Sequence, residues 1–223
     1  MASTPSAQTL IDQRRHMVNG QLRVGGVNDL SALAAFLDTP RESFVAAGQA
    51  GFAYLDCDQP ALGSSGRRLL APLTLARLLQ AAAVAPGERA LDVAGGSGYS
   101  AAILEQMGAS VVALESDAGA ADAARRALAG HAGIEVVEGD LASGAQGKGP
   151  FDVILVNGAF ETRPDALIAQ LAEGGRLVGV EARPGAQEAV LIEKSGAGIS
   201  RRTLFETRVA TIEAFRRAPS FAF

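Results

Sequence analysis

The sequence contains one cysteine, Cys57, and two histidines, His16 and His131, among 223 residues. A lone cysteine closes no internal disulfide, so nothing in the chain asks for an oxidising compartment. A nucleophilic Cys57 would need an activating histidine beside it; with histidine this scarce, the plainer reading is a half-buried small hydrophobe or an incidental thiol. Nor is there an Asp/His cluster at metal-ligand spacing, so no metal is expected. No apolar run reaches the length of a membrane span. The opening Met1–Gln8 is polar, with no basic residues ahead of an apolar stretch. It reads as a frayed tail and not as a secretory signal, which places the protein in the cytoplasm and away from membranes. Charge of one sign is also lacking: 20 Lys and Arg stand against 24 Asp and Glu, a net −4. Such a balance offers no broad basic field for nucleic acid, which is not an expected partner. Repeats and low-complexity segments are absent.

What is present suits a globular domain with a sizeable core, 48% hydrophobic and 20% charged. The length fits one domain over 1–223, with a helical segment and substrate loop over 1–70 and an α/β core over 71–223. Apolar residues at mixed three- and four-residue steps predict a helix over Gln8–Leu22, broken by Gly25 and Gly26. Asp29 caps a second helix through Phe36. Thr39-Pro40-Arg41-Glu42 reads as a capping box opening a third. A stretch containing Gly, Ser and Pro follows, and then an apolar helix over Leu73–Ala83.

From there short β-rich runs alternate with helices. The strands are Ala90–Val93, Ser110–Leu114, Ile134–Val137, Val153–Val156 and Arg176–Val180; helices lie near Tyr99–Met107, Ala118–Leu128 and Pro164–Leu171, with Gly108 and Gly130 at C-terminal caps. Continuous apolar runs such as Val153-Ile154-Leu155-Val156 imply strands buried on both faces. Alternation of such strands with helices means a doubly wound, mostly parallel sheet. Ala189–Glu193 and Thr203–Ile212, joined by Ser195-Gly196-Ala197-Gly198, have no helix between them and predict an antiparallel hairpin at the sheet edge, completing seven strands.

The most informative stretch is Leu91-Asp92-Val93-Ala94-Gly95-Gly96-Ser97-Gly98-Tyr99-Ser100, a strand, a glycine-rich turn and a helix start. At the carboxyl end of a first parallel strand such a turn faces the ligand crevice, and glycines let the backbone approach a ligand closely. The motif alone does not choose between NAD and S-adenosylmethionine. Two acids sharpen it. Glu115 closes the second strand, 17 residues after Gly98, where a carboxylate accepts both hydroxyls of a ribose. Asp140 follows the third strand, placed to accept the exocyclic amine of adenine. Acids after successive strands, in register with the glycine turn, point to an adenosine-containing ligand. Ser116, Leu141 and Asn157, adjoining these strand ends, complete the candidate cofactor set of Asp92, Gly95, Gly96, Ser97, Gly98, Glu115 and Asp140.

These motifs, together with Phe151–Val156 and Glu173-Gly174-Gly175-Arg176-Leu177-Val178, resemble the successive motifs of class I S-adenosylmethionine methyltransferases. Within that class the chain resembles protein-L-isoaspartate O-methyltransferases over nearly its whole length. Met17-Val18-Asn19-Gly20-Gln21-Leu22-Arg23 with Gly26-Val27 is similar to that family's opening segment, Pro40-Arg41-Glu42-Ser43-Phe44-Val45 to its next helix, Ala53-Tyr54-Leu55-Asp56 to its following turn, and Gln187 through Leu191-Ile192-Glu193-Lys194 to its late strand. The resemblance implies a Rossmann-like fold, S-adenosylmethionine as cofactor, and methylation of a carboxylate on a protein, a peptide or a small acid. One departure concerns the acceptor. Where the family has Gln-Thr-Ile-Ser before a helix-entering proline, this chain has Arg67-Arg68-Leu69-Leu70 before Pro72, so the family's active-site serine position is Leu70. The substrate candidates are Ser65, Arg67, Arg68 and Gln187; no residue is assigned as catalytic.

A carboxylate is already ionised at neutral pH and needs no general base, whereas phenols, alcohols and amines do. Asn157-Gly158-Ala159-Phe160 lacks the Asn/Asp-Pro-Pro-aromatic signature of many amine-methylating enzymes. Arg67 and Arg68 either hold an anionic substrate or pair with Asp56 and Asp58 on a solvated loop. Two other functions remain open on this sequence: a binding protein that keeps the cofactor pocket but has lost repair, and a methyltransferase for a different acceptor.

Overall fold

The computed structural model describes residues 5–63 and 66–218. Ser6 caps helix α1 (Ala7–His16) by accepting from the Thr9 N–H, so the chain is helical from residue 7, inside the stretch expected to fray. The helix does not run on regularly. Met17–Leu22 is wound as a π-helix, and this turns Met17, Val18 and Leu22 inward, where α1 itself buries no residue. The mixed spacing of apolar residues is the signature of that change in winding. Asp29 caps α2 (Leu30–Asp38) by accepting from the Ala32 N–H, as its side chain predicts.

The capping box at Thr39 does not form. Only a 3₁₀ turn, Arg41–Ser43, follows. The Glu42 carboxylate accepts instead from the Tyr54 hydroxyl, and the Arg41 side chain turns into the core. Val45 then bridges Ala61, and β1 (Gln59–Pro60) pairs antiparallel with β2 (Arg68–Leu69). Helix α3 (Pro72–Ala82) has no cap from its own residue Ala71. Asp58 and Asp56 accept from the Ala71 and Leu73 N–H groups, so the side chains of these acids serve a helix start, while Arg68 donates to the Asp58 carbonyl.

The sheet is built from β3 (Arg89–Val93), β4 (Ser110–Glu115), β5 (Ile134–Glu138), β6 (Phe151–Phe160), β7 (Leu171–Arg183), β8 (Ala186–Ser195) and β9 (Gly198–Glu206). Its order is β5-β4-β3-β6-β7-β8-β9. The first five of these neighbours run parallel, and β8 and β9 are antiparallel additions. Side chains alternate between two cores: Val111, Ala113, Val153 and Leu155 face the N-terminal helices, α3, α4 (Tyr99–Gln106) and α5 (Ala118–Ala127). Val112, Leu114, Ile154 and Val156 face Leu141, Ala145 and α6 (Asp165–Ala169). Strand order reverses between β3 and β6, and the crevice at that switch point is where ligands bind in such sheets.

Several boundaries differ from the sequence reading. Gly108 closes α4 with φ +97°, but α5 ends at Leu128, before Gly130. Strands β6 and β7 are longer than their apolar cores, because polar and glycine residues at both ends still find ladder partners. β7 turns at Pro184-Gly185 straight into β8, giving a second hairpin beside the expected one. The expected strand Thr203–Ile212 is really Gly198–Glu206; from Thr207 the chain leaves the edge and crosses back, Thr211 bridging Ala159. The apolar Val209 and Ile212, which made the run look like strand, are buried by this crossing.

Candidate functional site

The turn Ala94–Gly98 leaves the carboxyl end of β3 at the switch point. Its backbone is unusual for its residues. Gly96 and Gly98 have φ of +69° and +95°, and so does Ala94 at +59°, a left-handed conformation that costs a residue with a Cβ about 1 kcal/mol or more. A Cβ on Gly96 would lie 2.7 Å from Ala61 Cβ, and one on Gly98 2.5 Å from Leu128. The turn is therefore crowded from the side of the β1–β2 hairpin as well as from below.

Asp92 sits at the base of the turn, buried. It accepts from Ser100 Oγ at 2.8 Å and from Asn157 Nδ2 at 2.7 Å, and Asn157 also donates to the Val93 carbonyl. Burial pushes the Asp92 carboxyl up to about 7, against these hydrogen bonds. Asn157 thus ties β6 to β3 across the switch point. Ser97 donates its hydroxyl to the Phe44 carbonyl, anchoring the N-terminal segment to the turn. Leu141 is buried in the core behind the site.

Glu115 is 2% exposed at the end of β4. One carboxylate oxygen accepts from the Gly96 N–H; the other accepts from Arg67 Nε at 2.9 Å, while Arg67 also donates to Ser116 Oγ at 2.8 Å. Burial raises the Glu115 pKa and Arg67 opposes the rise. Gly139 donates to the Glu115 carbonyl, so Asp140 leaves β5 beside this strand end. Its exposed carboxylate accepts from Ser143 Oγ and from the Ser143 and Ala142 N–H groups, and these bonds hold its pKa below the usual range.

Beside the β1–β2 hairpin, Arg67, Arg68, Leu70, Asn157 and Thr211 line a cavity of roughly 30 Å³. Leu70 is buried there, and Arg68 donates to the Asp58 carbonyl at 2.7 Å. Gln187 is not part of this group. It lies in a separate groove with Arg183 and Arg208 that shares only Thr211 with the cavity, and its side chain accepts from the Val209 N–H. Ser65 lies outside the described residues. Cys57 is an exposed free thiol, the incidental alternative and not the half-buried one, and accepts from Gln59 Nε2.

Two residues at the site were not singled out from sequence. Thr211 arrives by the crossing that looked like strand. Arg41 is fully buried and donates to the Ala53 and Leu70 carbonyls, each at 2.8 Å, with its guanidinium 4.7 Å from the Tyr99 ring centre. Burial lowers its pKa. Arg41 holds Leu70 from behind. The sequence places Arg41 only within the Pro40–Val45 motif, with nothing to mark it as buried.

Comparison with known proteins agrees with this geometry. The family model for protein-L-isoaspartate(D-aspartate) O-methyltransferase matches residues 12–214. The protein-L-isoaspartate O-methyltransferase of Koribacter versatilis is 37% identical, over 93% of this chain and 94% of its own. That of Methylorubrum populi is 39% identical, over 82% of this chain and 86% of its own. A solved protein-L-isoaspartate O-methyltransferase superposes with a TM-score of 0.79 at 27% identity, covering 89% of this chain and 65% of that one. A second, from Plasmodium falciparum and solved in complex with S-adenosyl-L-homocysteine, has a TM-score of 0.75 at 22% identity, covers 90% of this chain and 98% of that one, and shares the fold. With most of the sequence and the whole sheet accounted for, the chain belongs to the protein-L-isoaspartate(D-aspartate) O-methyltransferase family of S-adenosylmethionine-dependent methyltransferases.

Proposed function

We propose that this protein methylates a carboxylate of a protein or peptide acceptor in the crevice between the ends of β3 and β6, the whole chain acting as one domain and in the cytoplasm. The observation that carries the reading is the alignment of three consecutive strand ends: the Ala94–Gly98 turn, Glu115 hydrogen-bonded to it through Gly96, and Asp140 on the neighbouring strand. The chain's residues fit the cofactor. Glu115 is the buried acceptor for ribose hydroxyls and Asp140 the exposed acceptor for the adenine amine. Asp92, held by Ser100 and Asn157, supplies a buried carboxyl for the cofactor's ammonium group.

Bound S-adenosylmethionine supplies an electrophilic methyl group. What remains for the protein is to orient the acceptor oxygen and exclude water, since a carboxylate needs no base to activate it. Leu70 contributes exclusion but no hydrogen bond. Arg68, exposed at the rim, supplies a cation for the acceptor. A positioning hydroxyl is therefore missing where the family pattern has one, and turnover of isoaspartyl peptides is expected to be weak. That loss favours a second reading, the same chemistry on a different carboxylate acceptor.

The test is to incubate the protein with methyl-labelled cofactor and an isoaspartyl peptide, and to measure base-labile methyl ester. The wild type should give slow ester formation. Changing Arg67-Arg68-Leu69-Leu70 to Gln-Thr-Ile-Ser should raise it by at least tenfold. Fast wild-type turnover would refute the claim that Leu70 impairs repair, and methyl transfer to no carboxylate acceptor in either form would refute the proposed chemistry.

A further inference from the structure

The carboxylate proposed as the ribose acceptor already pairs with a cation of the chain's own. Arg67 Nε lies 2.9 Å from Glu115 Oε2, and the same guanidinium reaches Ser116 Oγ at 2.8 Å. The other Glu115 oxygen takes the Gly96 N–H. A ribose diol that accepted this carboxylate as its partner would need the oxygen that Arg67 holds. We propose that Arg67 and the cofactor's ribose compete for Glu115, so that the ion pair sets the cofactor's affinity and must open for binding. This rests on the reading of Glu115 as the ribose acceptor.

The surroundings support competition over coexistence. Arg67 is carried by the β1–β2 hairpin, which lies directly on the glycine turn: the Cβ position of Gly96 is 2.7 Å from Ala61 Cβ and 3.4 Å from Arg67 Cβ. Beyond Ala61 the hairpin reaches α5, where the Cβ position of Gly63 is 2.6 Å from Ala123 Cβ and 2.8 Å from the Gly119 carbonyl. The hairpin backbone stays tied down: the Ala61 N–H donates to the Arg67 carbonyl, the Leu62 N–H to the Phe44 carbonyl, Arg68 to the Asp58 carbonyl and Arg41 to the Leu70 carbonyl. Opening is thus a withdrawal of the Arg67 side chain that releases Glu115.

The ion pair is a cost of that withdrawal. Glu115 is buried and Arg67 largely so, and a pair of this kind interacts more strongly than a solvated one. In the wild type each binding event exchanges the guanidinium for ribose hydroxyls. A variant without the guanidinium has nothing to exchange.

Calorimetric titration with S-adenosylhomocysteine tests this without reference to turnover. Arg67→Ala should bind about tenfold more tightly than the wild type, a gain of about 1.4 kcal/mol. Its melting temperature without the compound should fall, and the upward shift on adding the compound should grow. Arg67→Gln, which keeps length and polarity, serves if the alanine variant folds poorly, and should bind more tightly in the same sense. On a Glu115→Ala background the gain from Arg67→Ala should vanish, because the two side chains act through one contact. Equal or weaker binding by both Arg67 variants, with the wild type binding normally, would overturn the competition and leave the cofactor site standing. Failure of the wild type and of every variant to bind would overturn the site and the competition together.

Discussion

Asp92 shows what a single residue at this site costs and contributes. Its carboxyl is pushed by burial up to about 7, from an ordinary 3.8. Between those values the folded chain holds a proton that the unfolded chain has released. Stability therefore falls as pH rises from about 4 to 7 and levels off above, where Asp92 is ionised in both states. Asp92→Asn removes this dependence and keeps an acceptor for Ser100. Melting temperatures between pH 5 and 8 should decline less steeply for the variant than for the wild type; parallel curves would contradict the raised pKa. Gly96 is the second test at this scale. Valine there needs φ +69° and a Cβ 2.7 Å from Ala61. Gly96→Val should abolish S-adenosylhomocysteine binding and destabilise the protein by about 1–3 kcal/mol, read from calorimetry and a urea melt. Normal binding would mean that the turn serves packing alone. The sequence marks Gly96, Asp92 and Glu115 by their place at strand ends. Arg67's partner was not legible, since Arg67 and Glu115 are 48 residues apart and no periodicity relates them.

At the level of elements, local chemistry predicts well where one element satisfies itself. Asp29 caps α2 as its side chain dictates, and the strand–helix alternation from Arg89 to Glu138 follows the apolar pattern. The pattern misled where distant partners took over. Glu42 was claimed by Tyr54, which dissolved the capping box, and the crossing at Thr211 was hidden because Val209 and Ile212 bury themselves against other elements. Helix α3 illustrates the same division. Its start is served by Asp56 and Asp58, and its end by Arg176, which donates to the Ala83 carbonyl at 2.8 Å and pairs with Glu88. Its C-cap is Ala83 at φ +48°, a position where glycine carries no Cβ penalty. Ala83→Gly should stabilise the protein by about 0.5–1 kcal/mol after the added freedom of the unfolded chain is subtracted. A lower melting temperature would show that the Ala83 methyl packs well enough to outweigh its backbone strain.

On the scale of the whole molecule, the order β5-β4-β3-β6-β7-β8-β9 brings the glycine turn, Glu115 and Asp140 to one edge of the sheet. The alternating pattern foretold the parallel half of that order. It could not foretell the full length of the β7–β8 hairpin, because the polar residues at its turn end are solvated and carry no apolar pattern. The N-terminal segment is built into the same core as α3 and α4: Phe36 and Phe44 pack on Tyr99, and Arg41 grips Leu70. The glycine turn and the Leu70 wall are therefore packed as one unit, against which the Arg67 side chain is the proposed movable part. The central claim is that Glu115 receives an adenosine-containing cofactor at this edge. Titration of S-adenosylhomocysteine into the wild type and Glu115→Ala, side by side with NAD, tests it most directly. The account predicts saturable binding by the wild type in preference to NAD, and a net loss of about 1–3 kcal/mol in the folded variant, the competition from Arg67 already counted. Unchanged affinity in Glu115→Ala, or binding of NAD with none of S-adenosylhomocysteine, would contradict it.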